Sequence, residues 1–152
     1  MNLSIYSRSM MEARLLKESL DNTAVISFYD PPSPRSPKYL PPAPIDYSGK
    51  CAHVFMIAAH DLDPEALAAY GITPEGYLPE AAALAAFIKD AVKAGLSIIC
   101  QCEYGQSRSA ACAAAILQYY EKNGIEIFAD YRYYPNQLVY HKIYDALCAI
   151  KG

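Results

Sequence analysis

Short apolar runs, each handing over to a stretch with helical spacing, constrain this chain more than any other feature. Asn2–Ser7 (N-L-S-I-Y-S) alternates well enough to open a strand, and Met10–Leu20 then places Met11, Leu15 and Leu16 at helical intervals. Ala24–Tyr29 (A-V-I-S-F-Y) is β-branched and aromatic and is bounded by Asp30 and prolines, as a second strand would be. Ala52–Ala59 (A-H-V-F-M-I-A-A) is apolar throughout, which predicts a third, buried strand. Pro79–Gly95 carries Leu84, Phe87, Ile88, Ala91 and Val92 on one helical face, with Gly95 placed to end the helix at C′. Leu96–Gln101 reads as a fourth strand. Residues 108–121 read as a helix with Cys112, Ile116 and Tyr120 on one stripe. A short helix near Ile127–Tyr131 follows, then a last one from about Pro135 to Ile150 with Val139, Ile143 and Leu147 facing inward. Strands alternating with helices predict a single α/β domain over residues 1–152, its central, mostly parallel sheet of about four to five strands flanked by helices. A ligand site then belongs at the carboxyl ends of the strands.

The alternation is broken once. Seven of the eleven prolines crowd into Pro31–Pro44, which excludes both helix and central strand. The segment 31–45 is expected to be a rigid, extended surface loop, with a partner-binding proline segment as the alternative. A formal net charge of −3 and a pI near 5.5 leave no basic face for nucleic acid or an anionic membrane. The opening residues lack the apolar core and cleavage site of a signal peptide, and no run is long enough for a membrane helix. Five cysteines without framework spacing (Cys51, Cys100, Cys102, Cys112, Cys148) fit a reduced, cytoplasmic protein. Cys100-Gln101-Cys102 is too tight for a C-x-x-C pair, and the histidines are His53, His60 and His141 alone, so neither a structural zinc nor any other cofactor is expected.

Two segments at strand ends carry polar chemistry. One is H-D-L-D (His60–Asp63); the other is C-E-Y-G-Q-S-R-S, from Cys102 to Ser109. In a strand-to-helix turn the backbone N–H groups converge on an anion, aided by the positive end of the helix dipole. Gly105 permits the positive φ at which such a loop curls. Arg108, at the helix start, offers a planar fork for two phosphate oxygens. The same field favours a thiolate at Cys102 and makes it a nucleophile. A cysteine facing a cradled phosphate attacks phosphorus.

I-I-C-Q-C-E-Y-G-Q-S-R-S-A resembles the signature loop of the cysteine-dependent protein tyrosine phosphatases, in particular the small bacterial dual-specificity-like members. V-F-M-I-A-A-H-D is similar to the strand bearing that family's general-acid aspartate, and F-I-K-D-A-V-K-A-G to the helix before the nucleophile strand. Y-P-N-Q-L-V-Y-H-K-I (Tyr134–Ile143) resembles the family's proline–asparagine helix start, so the likeness spans roughly residues 50–150. Low-molecular-weight phosphatases carry their loop near the N-terminus, and rhodaneses place four residues, not five, between cysteine and arginine.

The resemblance implies roles. Cys102 forms a phosphocysteine. Arg108 and the backbone N–H groups of Glu103, Tyr104, Gly105, Gln106, Ser107 and Arg108 bind the phosphoryl oxygens. Ser109 assists the departing sulfur, and Asp61 protonates the leaving oxygen and then activates water. Asp63 is the rival acid, although preceding Pro64 also suits it to capping a helix. Cys100 or Cys112 could form a protective disulfide with Cys102, or simply pack in the core. Gln101 stands where the family usually has histidine, which opens the alternative of a weak or inactive phosphate-binding relative. A second alternative is a phosphoprotein interaction module built on the proline segment and the fourteen tyrosines. The expected partner is a phosphorylated substrate, a phosphotyrosine protein or peptide. The five residues between cysteine and arginine hold one acid and no base, a poor match to inositol polyphosphates unless Arg35, Lys38 or Arg132 lines the pocket.

Overall fold

The computed structural model describes residues 1–33 and 36–150. It is one α/β domain around a four-stranded, wholly parallel sheet in the order β1-β4-β2-β3. The strands are β1 (Leu3–Tyr6), β2 (Leu20–Tyr29), β3 (Cys51–Ala58) and β4 (Ser97–Gln101). The helices are α1 (Arg8–Lys17), α2 (Ala81–Lys93), α3 (Arg108–Glu121), α4 (Ile125–Ala129) and α5 (Gln137–Ala149), with 3₁₀ turns at Pro64–Ala66 and Ala68–Tyr70.

Side chains alternate across a strand, so the two central strands feed two cores. Ala24, Ile26, Phe28, Ile98 and Cys100 face the larger one, against α2, α3 and α5. Val25 and Ile99 face the other, against Met11 and Leu15 of α1. Ile45 and Tyr47 are buried in that second core. The segment after β2 thus has no helix or strand among its described residues 31–50, yet its end closes one face of the sheet. Val139, Ile143 and Leu147 of α5 are fully buried, each contributing roughly 1.5–3 kcal/mol of apolar transfer. Gly95, at φ 73°, follows α2 as its left-handed C′ residue.

Several expectations change in detail. Leu16 is 87% exposed, because α1 turns only Met11 and Leu15 to the sheet. β3 is an edge strand rather than a buried one: of its eight residues only Ile57 is buried. Its apolar residues pack on both faces, Phe55 and Ile57 toward the larger core and Val54 toward the second, but the open edge leaves all except Ile57 partly exposed. α3 is buried all round from Arg108 to Ile116 rather than along one stripe. Its alanines are small enough for sheet and helices to close on it from every side. The short helix α4 begins two residues earlier than its expected start.

Candidate active site

β4 ends at Gln101, so Cys102 is the first residue beyond the strand and Arg108 the first of α3. The loop between them is held from both sides by backbone bonds. Cys102 N donates to Tyr6 O (3.3 Å) and Arg8 N donates to Glu103 O (3.1 Å), which ties the loop to the β1–α1 corner. Tyr134 N donates to Gln106 O (2.8 Å) and Asn136 N to Ser107 O (3.2 Å), which ties it to the approach to α5. Gly105 has φ 69°, and a Cβ there would lie 2.7 Å from the backbone nitrogen of Ser7. Both the curl and the contact exclude a side chain. The carbonyls of Glu103, Gln106 and Ser107 are thus used in fixing the loop, while none of the N–H groups of Glu103 to Arg108 meets an acceptor among the described residues.

Cys102 is buried, its Sγ 3.0 Å from the Ser109 hydroxyl. Arg108 is buried at 3% exposure, a costly place for a guanidinium unless it is paired. Its Nη1 donates to Asp30 Oδ1 (2.7 Å) and to the carbonyl of Ala59 (2.8 Å). Its Nε is buried with no hydrogen-bond partner among the described residues. Asp30, at the end of β2, did not stand out in the sequence. Its one signal was its position, an acid at the carboxyl end of a strand like the two quoted segments.

Asp61, just past β3, is exposed, and one of its oxygens is doubly held. Ser107 Oγ donates to Oδ1 at 2.7 Å and Asn136 Nδ2 to the same atom at 2.8 Å. Asp63 is engaged locally: its Oδ1 accepts from Ala66 N at 2.9 Å and caps the turn that Pro64 opens. Asp61, Asp63, Glu65, Ser107, Tyr134 and Asn136 share the wall of a cleft of about 380 Å³ beside the loop. His60 lies against Tyr70 in a tilted ring contact (centroids 4.9 Å apart), and burial holds it below the usual histidine range, opposed by Asp30 and reinforced by Arg108.

Gln101 is buried, and its Oε1 accepts from Ser27 Oγ and from Tyr47 Oη (3.2 Å); Tyr47 also donates to Ser27 Oγ (2.9 Å). Burial pushes the Tyr47 phenol up to about 12. Cys100 is fully buried; its contact with Cys112, then burial, pushes its thiol well above the ordinary value. None of the five cysteines is in a disulfide. Tyr104 and Tyr134 are 77% and 72% exposed. Glu103 faces Arg8 at 3.6 Å, which offsets its charge. Of the three cations considered for a pocket wall, Arg132 pairs with Asp130 at 2.7 Å, Lys38 is exposed, and Arg35 lies outside the described residues. Among the described residues no group of three or more His, Cys, Asp or Glu is placed to hold a metal, and no helix is long and apolar enough to cross a membrane.

No family model and no curated protein matches the chain. Solved structures do. Human DUSP28 aligns over 97% of this chain and 92% of its own at 16% identity and TM-score 0.54. PTPMT1 in complex with PI(5)P aligns over 97% and 90% at 13% identity and TM-score 0.54. Human tyrosine phosphatase-like serine/threonine/tyrosine-interacting protein aligns over 95% and 87% at 14% identity and TM-score 0.50. At these identities the likeness is one of fold: the chain has the fold of the cysteine-dependent protein tyrosine phosphatases.

Proposed function

We propose that the chain is a phosphomonoester hydrolase acting through a phosphocysteine. The observation that carries this is the buried guanidinium of Arg108. One nitrogen is anchored by Asp30 and Ala59, and another N–H is left without a partner at the mouth of a loop whose own N–H groups are also free. Burying such a charge is unfavourable in isolation, and an incoming phosphoryl group supplies the missing acceptors. In the first step Cys102 Sγ bonds to phosphorus as the ester P–O bond breaks, and Asp61 gives its proton to the departing oxygen. In the second, Asp61 takes a proton from water as the water oxygen bonds to phosphorus and the S–P bond breaks. Ser109, 3.0 Å from the sulfur, donates to the thiolate that leaves. No step calls on a metal.

Phosphotyrosine proteins or peptides suit the site best. The loop holds no base, Arg132 is engaged by Asp130, and exposed Tyr104 and Tyr134 offer aromatic surface beside the loop. PTPMT1 is solved with a phosphoinositide, and that class is the competitor to test. The absence of disulfides fits a cytoplasmic setting. A second reading, phosphate recognition without turnover, draws on Gln101, whose side-chain oxygen is occupied by Ser27 and Tyr47. Hydrolysis of an aryl phosphate in excess EDTA decides between them, and the reading expects turnover. A competition at one pH and ionic strength should then favour phosphotyrosine peptide over phosphoinositide in kcat/KM. Binding of a phosphate analogue without hydrolysis would hand the site to the second reading.

A further inference from the structure

We propose that Ser107 and Asn136 are positioning residues for Asp61, holding one of its carboxyl oxygens so that the proton it transfers rides on the other. This rests on the hydrolase reading above. Both bonds end on Oδ1, at 2.7 Å from Ser107 Oγ and 2.8 Å from Asn136 Nδ2, and Oδ2 receives none among the described residues. An oxygen already accepting two N–H or O–H bonds is a poor place for a proton, so Oδ2 carries it. An exposed aspartate otherwise samples several rotamers, and two donors from different elements select one.

The two donors differ in what else they do. Ser107 sits at the N-cap of α3, where a serine hydroxyl ordinarily accepts from a backbone N–H of the first turn. Here the side chain makes no such cap bond and is spent on Asp61. Asn136 is 8% exposed and fully committed: Oδ1 accepts from Val139 N (3.0 Å) as the cap of α5, and Nδ2 donates to Asp61 and to Leu62 O (2.9 Å). Its amide cannot rotate without breaking all three. The backbone bond from Asn136 N to Ser107 O (3.2 Å) locks the two donors to each other. The phosphoryl loop, the Asp61 segment and the start of α5 therefore meet at one carboxyl oxygen.

In the first step Oδ2–H passes its proton to the ester oxygen as the P–O bond breaks and the S–P bond forms. Asp61 is left as a carboxylate that keeps both bonds at Oδ1. In the second, Oδ2 takes a proton from water as the new P–O bond forms and sulfur leaves with the electron pair of the S–P bond. The holder atom and the proton-carrying atom never exchange.

The test compares phenyl phosphate, a poor leaving group, with 2,4-dinitrophenyl phosphate, a good one. Ser107→Ala, and Asn136→Ser, which keeps an oxygen to cap α5, should each lower kcat on phenyl phosphate by about tenfold with KM nearly unchanged, and much less on the dinitrophenyl ester. In an Asp61→Asn background each should add less than about twofold. Ser107→Thr, which retains a hydroxyl, should restore the wild-type dependence on leaving group. Losses of equal size with and without Asp61, or on both esters, would overturn the positioning role alone. A wild type without turnover on either ester would overturn the hydrolase reading and this inference together.

Discussion

The ends of β3 and β4 each carry two residues of one kind, two positions apart: Asp61 and Asp63 on one, Cys100 and Cys102 on the other. In each pair one member is absorbed by structure and the other stands at the candidate site. The order is reversed. On β4 the residue inside the strand is absorbed, Cys100 against Cys112 in the core. On β3 it is the outer residue, Asp63, which caps the turn that follows. Distance from the strand end therefore does not decide which member is available for chemistry; the identity of its partner does.

The β4 pair should show the larger contrast. Cys102→Ser is expected to abolish hydrolysis, because a serine hydroxyl in this setting is far from ionised. Cys100→Ala should keep activity within about threefold while lowering stability by roughly 1–2 kcal/mol for the lost packing. Thermal melting and single-turnover rates measure the two effects, and turnover surviving in Cys102→Ser would end the covalent mechanism.

On β3, Asp61→Asn should slow hydrolysis of poor leaving groups by roughly 10²–10⁴, and Asp63→Asn should cost little in activity or stability, because an asparagine oxygen still accepts from Ala66 N as a cap. A reversal of the two rate effects would move the acid to Asp63.

The smallest effect is on stability against pH. The Cys100 thiol is raised in the folded chain by Cys112 and by burial, and the Tyr47 phenol to about 12 by burial. Both are acids that hold their protons longer when folded. Their contribution is complete below the unfolded values, near 9.0 for Cys and 10.0 for Tyr, and is lost as pH rises through the folded ones. Melting temperature should fall above about pH 9, and less steeply in Cys100→Ala. A fall of equal slope in that variant would remove Cys100 from the account.

What was legible in the sequence was local. The period of β2 and β4, the face of α5 and the Cys102–Arg108 spacing lie within one segment each, and the structure keeps them close to where the pattern put them. What was not legible lies between segments. Asp30 reaches Arg108, and Ser107 and Asn136 reach Asp61, across stretches of chain that no periodicity spans. β3 looked buried because an edge strand and an inner strand of a parallel sheet are built from the same residues. Only the strand order tells them apart. Leu16 looked inward because the helix was read from its apolar residues, while only one side of α1 has a sheet to cover.

Gly105 rests on the backbone of Ser7, and β1 aligns Leu3 with Ile98 of β4. The loop therefore takes its shape from one strand that precedes β2 and β3 in the chain and one that follows them. Closing so long a span is entropically unfavourable, and contacts of this separation slow folding more than local ones do. On the ribosome, the first strand has no place to dock until β4 has emerged. The candidate site at Cys102 is in this sense a late acquisition of each new molecule, and a nascent chain with α1, β2 and β3 already in place still lacks the strand that shapes its loop.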